Sequence, residues 1–177
     1  MKKQGFSLPE LLITLSILIL LTTLTIPNYK TFLTQAKTQT QRSKLQRALA
    51  YARSAAMLRG IKVTLCGATK DHQQCTDHWR NGVLLFTDEN GSATITSTKQ
   101  ILHVITSQEQ DGTLHWRSSF KLNYLQFQPT GRPNGKNGTF WYCEKNASAP
   151  SWALVVNLAG RTRLLTNVTD LKKLTCS

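Results

Sequence analysis

The hydrophobic pattern changes character twice along the chain. From Leu11 to Ile26 no residue is charged, a run too uniform for a helix that turns one face to water. From Asn28 to Arg59 the apolar positions recur at steps of three and four, through Leu45, Ala48, Leu49, Ala52, Ala55 and Ala56. That spacing predicts a continuing helix whose stripe packs on the domain that follows, and Gly60 is a natural stop. Beyond Gly60 come short runs rich in β-branched and aromatic residues, at 61–66, 82–87, 100–106, 120–127, 138–143 and 152–158. Turn signals such as Asn90-Gly91 and Asp111-Gly112 divide them. The pattern predicts an α+β plan: a long amino-terminal helix, with 28–60 its amphipathic part, packed on an antiparallel β domain over 61–177.

Charge sharpens this picture. The 177 residues hold 22 Lys and Arg against 9 Asp and Glu, a net charge of +13. With 40% hydrophobic residues the chain can bury a core, which excludes a disordered basic tail. A charge of this sign attracts nucleic acid, anionic headgroups or acidic proteins, and by itself says nothing about fold or catalysis. Lys30, Lys37, Arg42, Lys44, Arg47, Arg53 and Arg59 fall on the predicted helix without an acid among them. A solvated helix face accounts for them, with headgroups or neighbouring subunits as the alternative. From Arg117 to Lys173, nine basic residues stand against Glu144 and Asp170 alone, an excess of seven.

Phe6 to Ile26 makes 21 residues, roughly 31 Å of helix at about 1.5 Å per residue, close to the bilayer's hydrocarbon thickness of about 30 Å. Lys2 and Lys3 orient that end towards the cytoplasm. Glu10 stands at the edge of the span, where an acid is costly and needs a partner. Gly5-Phe6-Ser7-Leu8-Pro9-Glu10-Leu11-Leu12 resembles the class III signal of type IV pilins and type II secretion pseudopilins. The resemblance implies a leader of residues 1–5, cut after Gly5 by a prepilin peptidase, and methylation of the new amino terminus at Phe6. It implies that segment 6–27 is the transmembrane and assembly helix, held in the inner membrane as a single pass and later among other pilins of the type IV pilus. Glu10 would then neutralise a neighbouring subunit's terminal amine, and Pro27 sits where many such proteins have a helix-kinking proline.

The carboxy-terminal half carries a second likeness. Phe127-Gln-Pro-Thr-Gly131-Arg132, Gly138-Thr-Phe-Trp-Tyr-Cys143 and Val155-Val-Asn-Leu-Ala-Gly160-Arg161-Thr162-Arg163 resemble the minor pilins grouped as GspH/FimT. The Gly-Arg-x-Arg pattern resembles the FimT-type members, which are associated with DNA capture in natural transformation. This implies double-stranded DNA as a partner, bound through phosphates without sequence preference. If Arg161–Leu165 is extended, Arg161 and Arg163 project from one face about 7 Å apart, a spacing suited to neighbouring phosphates. Their planar forks donate bidentately, and Gly160 permits a tight turn close to the ligand. A Gly/Pro-rich loop carries Arg132 and Lys136 as a second cationic element, and Lys172 and Lys173 follow near the end. The plainer reading, in which the Gly-Arg pair is turn chemistry with solvated charge, leaves a structural or secretion subunit with no DNA role.

Cys66, Cys75, Cys143 and Cys176 all follow the apolar segment, on the side where a bacterial periplasm would oxidise them. Three pairings exist. The favoured one joins Cys66 to Cys75, closing a short loop, and Cys143 to Cys176, pinning the carboxy terminus. A zinc set of Cys66, His72, Cys75 and His78 is the alternative for the first pair, but its spacing matches no recognised knuckle. No HExxH, P-loop or GxSxG occurs, and His103 and His115 stand alone, so no enzymatic role and no cofactor are expected. Trp79, Trp116, Trp141 and Trp152 are candidates for stacking on bases, with core packing the better reading for Trp141 and Trp152.

Overall fold

The structure, a computed structural model, describes residues 7–107, 112–134, 137–145 and 147–176, with backbone alone for 23–28, 30, 31 and 168. The signal residues Gly5 and Phe6 and the loop residue Lys136 lie outside the described residues, as does the side chain of Pro27.

Helix α1 spans Leu8–Arg59. Pro9 sits in its first turn, where a missing N–H costs nothing, and Gly60 ends it with a φ of +66°, the left-handed closure that stops helices. The chain divides into two units at residue 40. In the first, the apolar side chains of α1 from Leu8 to Leu21 are all exposed. Among the described residues no helix is long and apolar enough to cross a membrane.

The second unit holds two antiparallel sheets. One contains β1 (Val63–Ala68), β2 (Cys75–Thr76), β3 (Gly82–Thr87), β4 (Ile101–Thr106) and, out of sequence, β6 (Tyr124–Phe127), which pairs with β1. The other orders β5 (Gly112–Ser118), β7 (Gly138–Glu144), β8 (Trp152–Val156) and β9 (Thr162–Leu164) in a row. The short helix α2 (Val168–Leu171) follows. The α1 stripe Leu45, Ala48, Leu49, Ala52, Ala55 and Ala56 is buried against both sheets. Its alanines let the backbones approach closely, and Phe127, Phe140, Trp152 and Leu154 fill the space between. Strand β1 is buried along its whole length because Cys66, Ala68, Leu84, Phe86 and Ile95 form a second cluster on the sheet's far face.

A buried carboxylate ties the first sheet together. Asp88, 2% exposed, accepts from Thr64 Oγ1 and Gln126 Nε2 at 2.8 Å each, and from the backbone N–H groups of Ser92 at 3.0 Å and Ala93 at 2.9 Å. Four hydrogen-bond donors satisfy its carboxyl oxygens, which makes a buried acid tolerable.

The α+β architecture, long helix on antiparallel sheets, is the expected one. Strand β5 was not foreseen, β2, β9 and α2 are additional, and the run 120–127 is strand only from Tyr124. In that stretch the chain turns first, with Lys121 N–H donating to Ser118 C=O and Leu122 N–H to Ser118 Oγ, which leaves Phe120 exposed.

Candidate nucleic-acid interface

Two turns of one design lie side by side. In the first, Gly131 N–H donates to Gln128 C=O and Gln128 N–H to Arg132 C=O, both at 2.8 Å. In the second, Gly160 N–H donates to Asn157 C=O at 2.9 Å and Asn157 N–H to Arg161 C=O at 3.0 Å. Gly131 and Gly160 both take the left-handed region, at φ +73° and +74°. This is the three-residue hairpin loop that closes with a left-handed glycine, built twice. The Asn157 side chain adds a lock on the second, accepting from Ala159 and Arg161 N–H. Arg132 and Arg161 therefore hold the same position, immediately after the glycine, and both are exposed.

The turns touch: a methyl at Gly160 would overlap the Gly131 carbonyl oxygen. That same oxygen accepts from Arg53 Nε of α1 at 3.0 Å. The sequence gives Arg53 no role beyond a helix charge, yet it anchors the Gly131 turn, which the Gly160 turn abuts, to the helix. A basic residue nearly two turns from the helix end, in a chain with two Gly-Arg pairs, was the available signal.

Arg161 and Arg163 share one side of the chain, both exposed, while Thr162 and Leu164 between and beyond them are half-buried. Arg163 lies opposite Val155, whose neighbours Leu154 and Val156 enter the central core. Arg163 thus stands on the face turned away from α1. The carboxy-terminal segment lies on that face as well. Leu165, Leu171, Leu174 and Cys176 pack with Trp141, Cys143 and Ala153, Trp141 Nε1 donates to Thr175 C=O at 3.1 Å, and a disulfide joins Cys143 to Cys176. Lys172 and Lys173, both exposed, belong to this segment and are thereby carried on the same sheet. Lys173 Nζ meets Asp170 Oδ1 at 2.8 Å with side chains 73% and 41% exposed, a screened pair worth no more than about 1 kcal/mol.

The other disulfide joins Cys66 to Cys75 with Cα atoms 5.5 Å apart, so neither is available as a thiolate for zinc. The tryptophans are committed elsewhere. Trp79 and Trp116 pack on Phe140 with centroids 5.1 and 4.2 Å away, Trp152 stacks on Tyr142 at 5.6 Å, and Trp141 is covered by His115 at 5.2 Å. Burial, and then the Arg80 charge, hold the His115 imidazole below its usual value of 6.5.

A long helix laid on two antiparallel sheets, with a cationic face opposite the helix, defines a pilin-like subunit. The chain belongs to the GspH family: residues 41–160 match the model of the type II transport protein GspH, a family of minor pilins and pseudopilins. The fold is similar to that of the type IV minor pilin FimU of Pseudomonas aeruginosa in two crystal forms. One has a TM-score of 0.55 at 22% identity, covering 74% of this chain and 90% of that one. The other has a TM-score of 0.51 at 23% identity, covering 72% and 91%. A looser likeness, TM-score 0.48 at 12% identity over 72% of this chain and 94% of the other, is to the minor pseudopilin EpsH of the Vibrio cholerae type 2 secretion system. No curated protein matches the sequence.

Proposed function

We propose that this chain is a FimT-like minor type IV pilin whose β domain binds double-stranded DNA, without sequence preference, for uptake in natural transformation. The observation that carries the reading is that Arg161 and Arg163 are exposed on the sheet face turned away from α1, the face onto which the segment bearing Lys172 and Lys173 packs. Arg132 stands on the turn abutting Gly160, and Lys136 belongs to the same loop. Phosphates are the matching ligand because the side chains are forked or point cations on an open face, and backbone contacts carry no sequence information. The exposed apolar side chains from Leu8 to Leu21 support an assembly helix over 6–27, which needs lipid or other pilins to cover it. In this reading the prepilin peptidase removes residues 1–5, Phe6 is methylated, Glu10 pairs with a neighbour's amine, and the domain over 61–177 reaches the periplasm and then the pilus surface.

Membership of the GspH family also favours a second reading, a structural or priming subunit or secretion pseudopilin in which the basic face meets other subunits. An R161Q/R163Q double variant scored for piliation and transformation separates the two. Transformation lost with pili intact is the expected result. Pili lost together with transformation would assign the face to assembly.

A further inference from the structure

One register row crosses the second sheet from edge to edge. Arg117 of β5 lies opposite Thr139 of β7, Thr139 opposite Val155 of β8, and Val155 opposite Arg163 of β9. Cross-strand partners share a face, so the row ends in two arginines on the side turned away from α1. Both arginines are exposed and the floor between them, Thr139 and Val155, is half-buried, short and uncharged. Neither arginine has a carboxylate partner among the described residues. The Arg117 guanidinium carbon lies 5.8 Å from the Trp141 ring centroid, a cation–π contact that steadies its position.

Three strand spacings of about 4.8 Å separate the ends of the row by about 14 Å. That is twice the separation of Arg161 and Arg163 along their own strand, and perpendicular to it. A distance of this size is too long for neighbouring phosphates on one strand and comparable to the roughly 12 Å width of the major groove of B-form DNA. The four tryptophans are all engaged with protein partners, so the stacking platforms on which single strands depend are not supplied by them.

We propose that Arg117 is a DNA contact, and that Arg117 and Arg163 hold the two strands of a duplex from opposite sides of one groove. Arg161 then takes the next phosphate on the strand held by Arg163. This rests on the DNA-binding reading above and deepens it: the ligand is a duplex, recognised by the width between its backbones. Sequence alone counted Arg117 only as one basic residue among nine.

The test is fluorescence anisotropy with the full chain in a nonionic detergent, titrated into a 20-base-pair duplex and a single strand of equal length, over a series of salt concentrations. R117Q is expected to weaken duplex binding at least fivefold and to flatten the slope of log Kd against log salt by about 0.9, one phosphate contact. Its single-strand affinity should change less than twofold. R117K keeps the charge and is expected to recover the slope. If R117K fails to recover it, the loss in R117Q is structural and the contact is overturned. Equal losses on duplex and single strand overturn the groove-spanning geometry. Unchanged duplex binding in R117Q, with binding lost in R161Q/R163Q, overturns the role of Arg117 and leaves the DNA reading standing. Unchanged binding in both variants overturns the DNA reading itself.

Discussion

Gly160→Ala probes how the arginine turns are held. At φ +74° any alanine costs about 1 to 2 kcal/mol of left-handed strain. The added methyl also overlaps the Gly131 carbonyl oxygen, a backbone atom that cannot swing aside, so the two turns must separate. Separation strains or breaks the Arg53 Nε bond to that oxygen, and a hydrogen bond from a charged donor contributes about 1.5 to 3 kcal/mol. The expected cost is therefore about 3 to 4 kcal/mol. Gly60→Ala is the matched control: its φ of +66° is nearly the same, but a methyl there meets nothing within 4 Å, so it should cost only about 1 kcal/mol. Gly131→Ala should fall between, because its methyl meets the Met57 sulfur at 2.6 Å, the flexible end of a side chain, with Arg53 Nε behind it at 3.2 Å. The assay is guanidinium unfolding followed by tryptophan fluorescence on residues 40–177, the unit that contains all three buried clusters. If Gly60→Ala and Gly160→Ala agree within about 0.5 kcal/mol, the abutting-turn account is wrong and only the shared backbone strain remains.

Three further outcomes are expected. Replacing Cys143 and Cys176 by Ser opens a closure of 33 residues in sequence separation, worth at most about 4 kcal/mol by chain entropy; unfolding midpoints should drop and DNA binding weaken severalfold as Lys172 and Lys173 come loose, whereas replacing Cys66 and Cys75 should leave binding unchanged. Asp88→Ala strands the donors of Thr64, Gln126, Ser92 and Ala93 and should cost about 3 kcal/mol or more in chemical unfolding; a loss under about 1 kcal/mol would mean that the site admits water or relaxes. His115 has a folded value held below its usual 6.5, first by burial and then by Arg80, so the native state favours the neutral ring. Its contribution is full above 6.5 and is lost as pH falls below it; wild type should lose more stability between pH 7.5 and 5.5 than His115→Gln, and parallel pH curves would refute this.

Strand β5 shows why part of the fold was hidden. Thr113-Leu114-His115-Trp116-Arg117 does alternate, with Leu114 and Trp116 packed on the central core. Its outward positions are polar and it has only two large apolar residues, so period two is weak over so short a run. Phe120, by contrast, reads as strand by composition and is exposed in a turn, since the Ser118 hydroxyl and carbonyl capture the next backbone N–H groups. The role of Arg53 was illegible for a different reason: its acceptor, the carbonyl of Gly131, is 78 positions away. The Gly-Arg pairs were legible, but that they are the same turn, and adjacent, was not.

Local chemistry determined the helix and its stop. A stripe at three- and four-residue steps has one solution that buries it, and Gly60 reaches a left-handed φ at little cost. Charge imbalance marked the carboxy-terminal third as cationic, and Cys143 and Cys176 marked it as cross-linked. What only the tertiary structure decided is which charges share a face. Strand register sets Arg117 and Arg163 on one row, and a disulfide lays Lys172 and Lys173 on the same sheet. Those relations depend on contacts between residues far apart in the chain, and a linear pattern carries no term for them until the backbone hydrogen bonds fix the register.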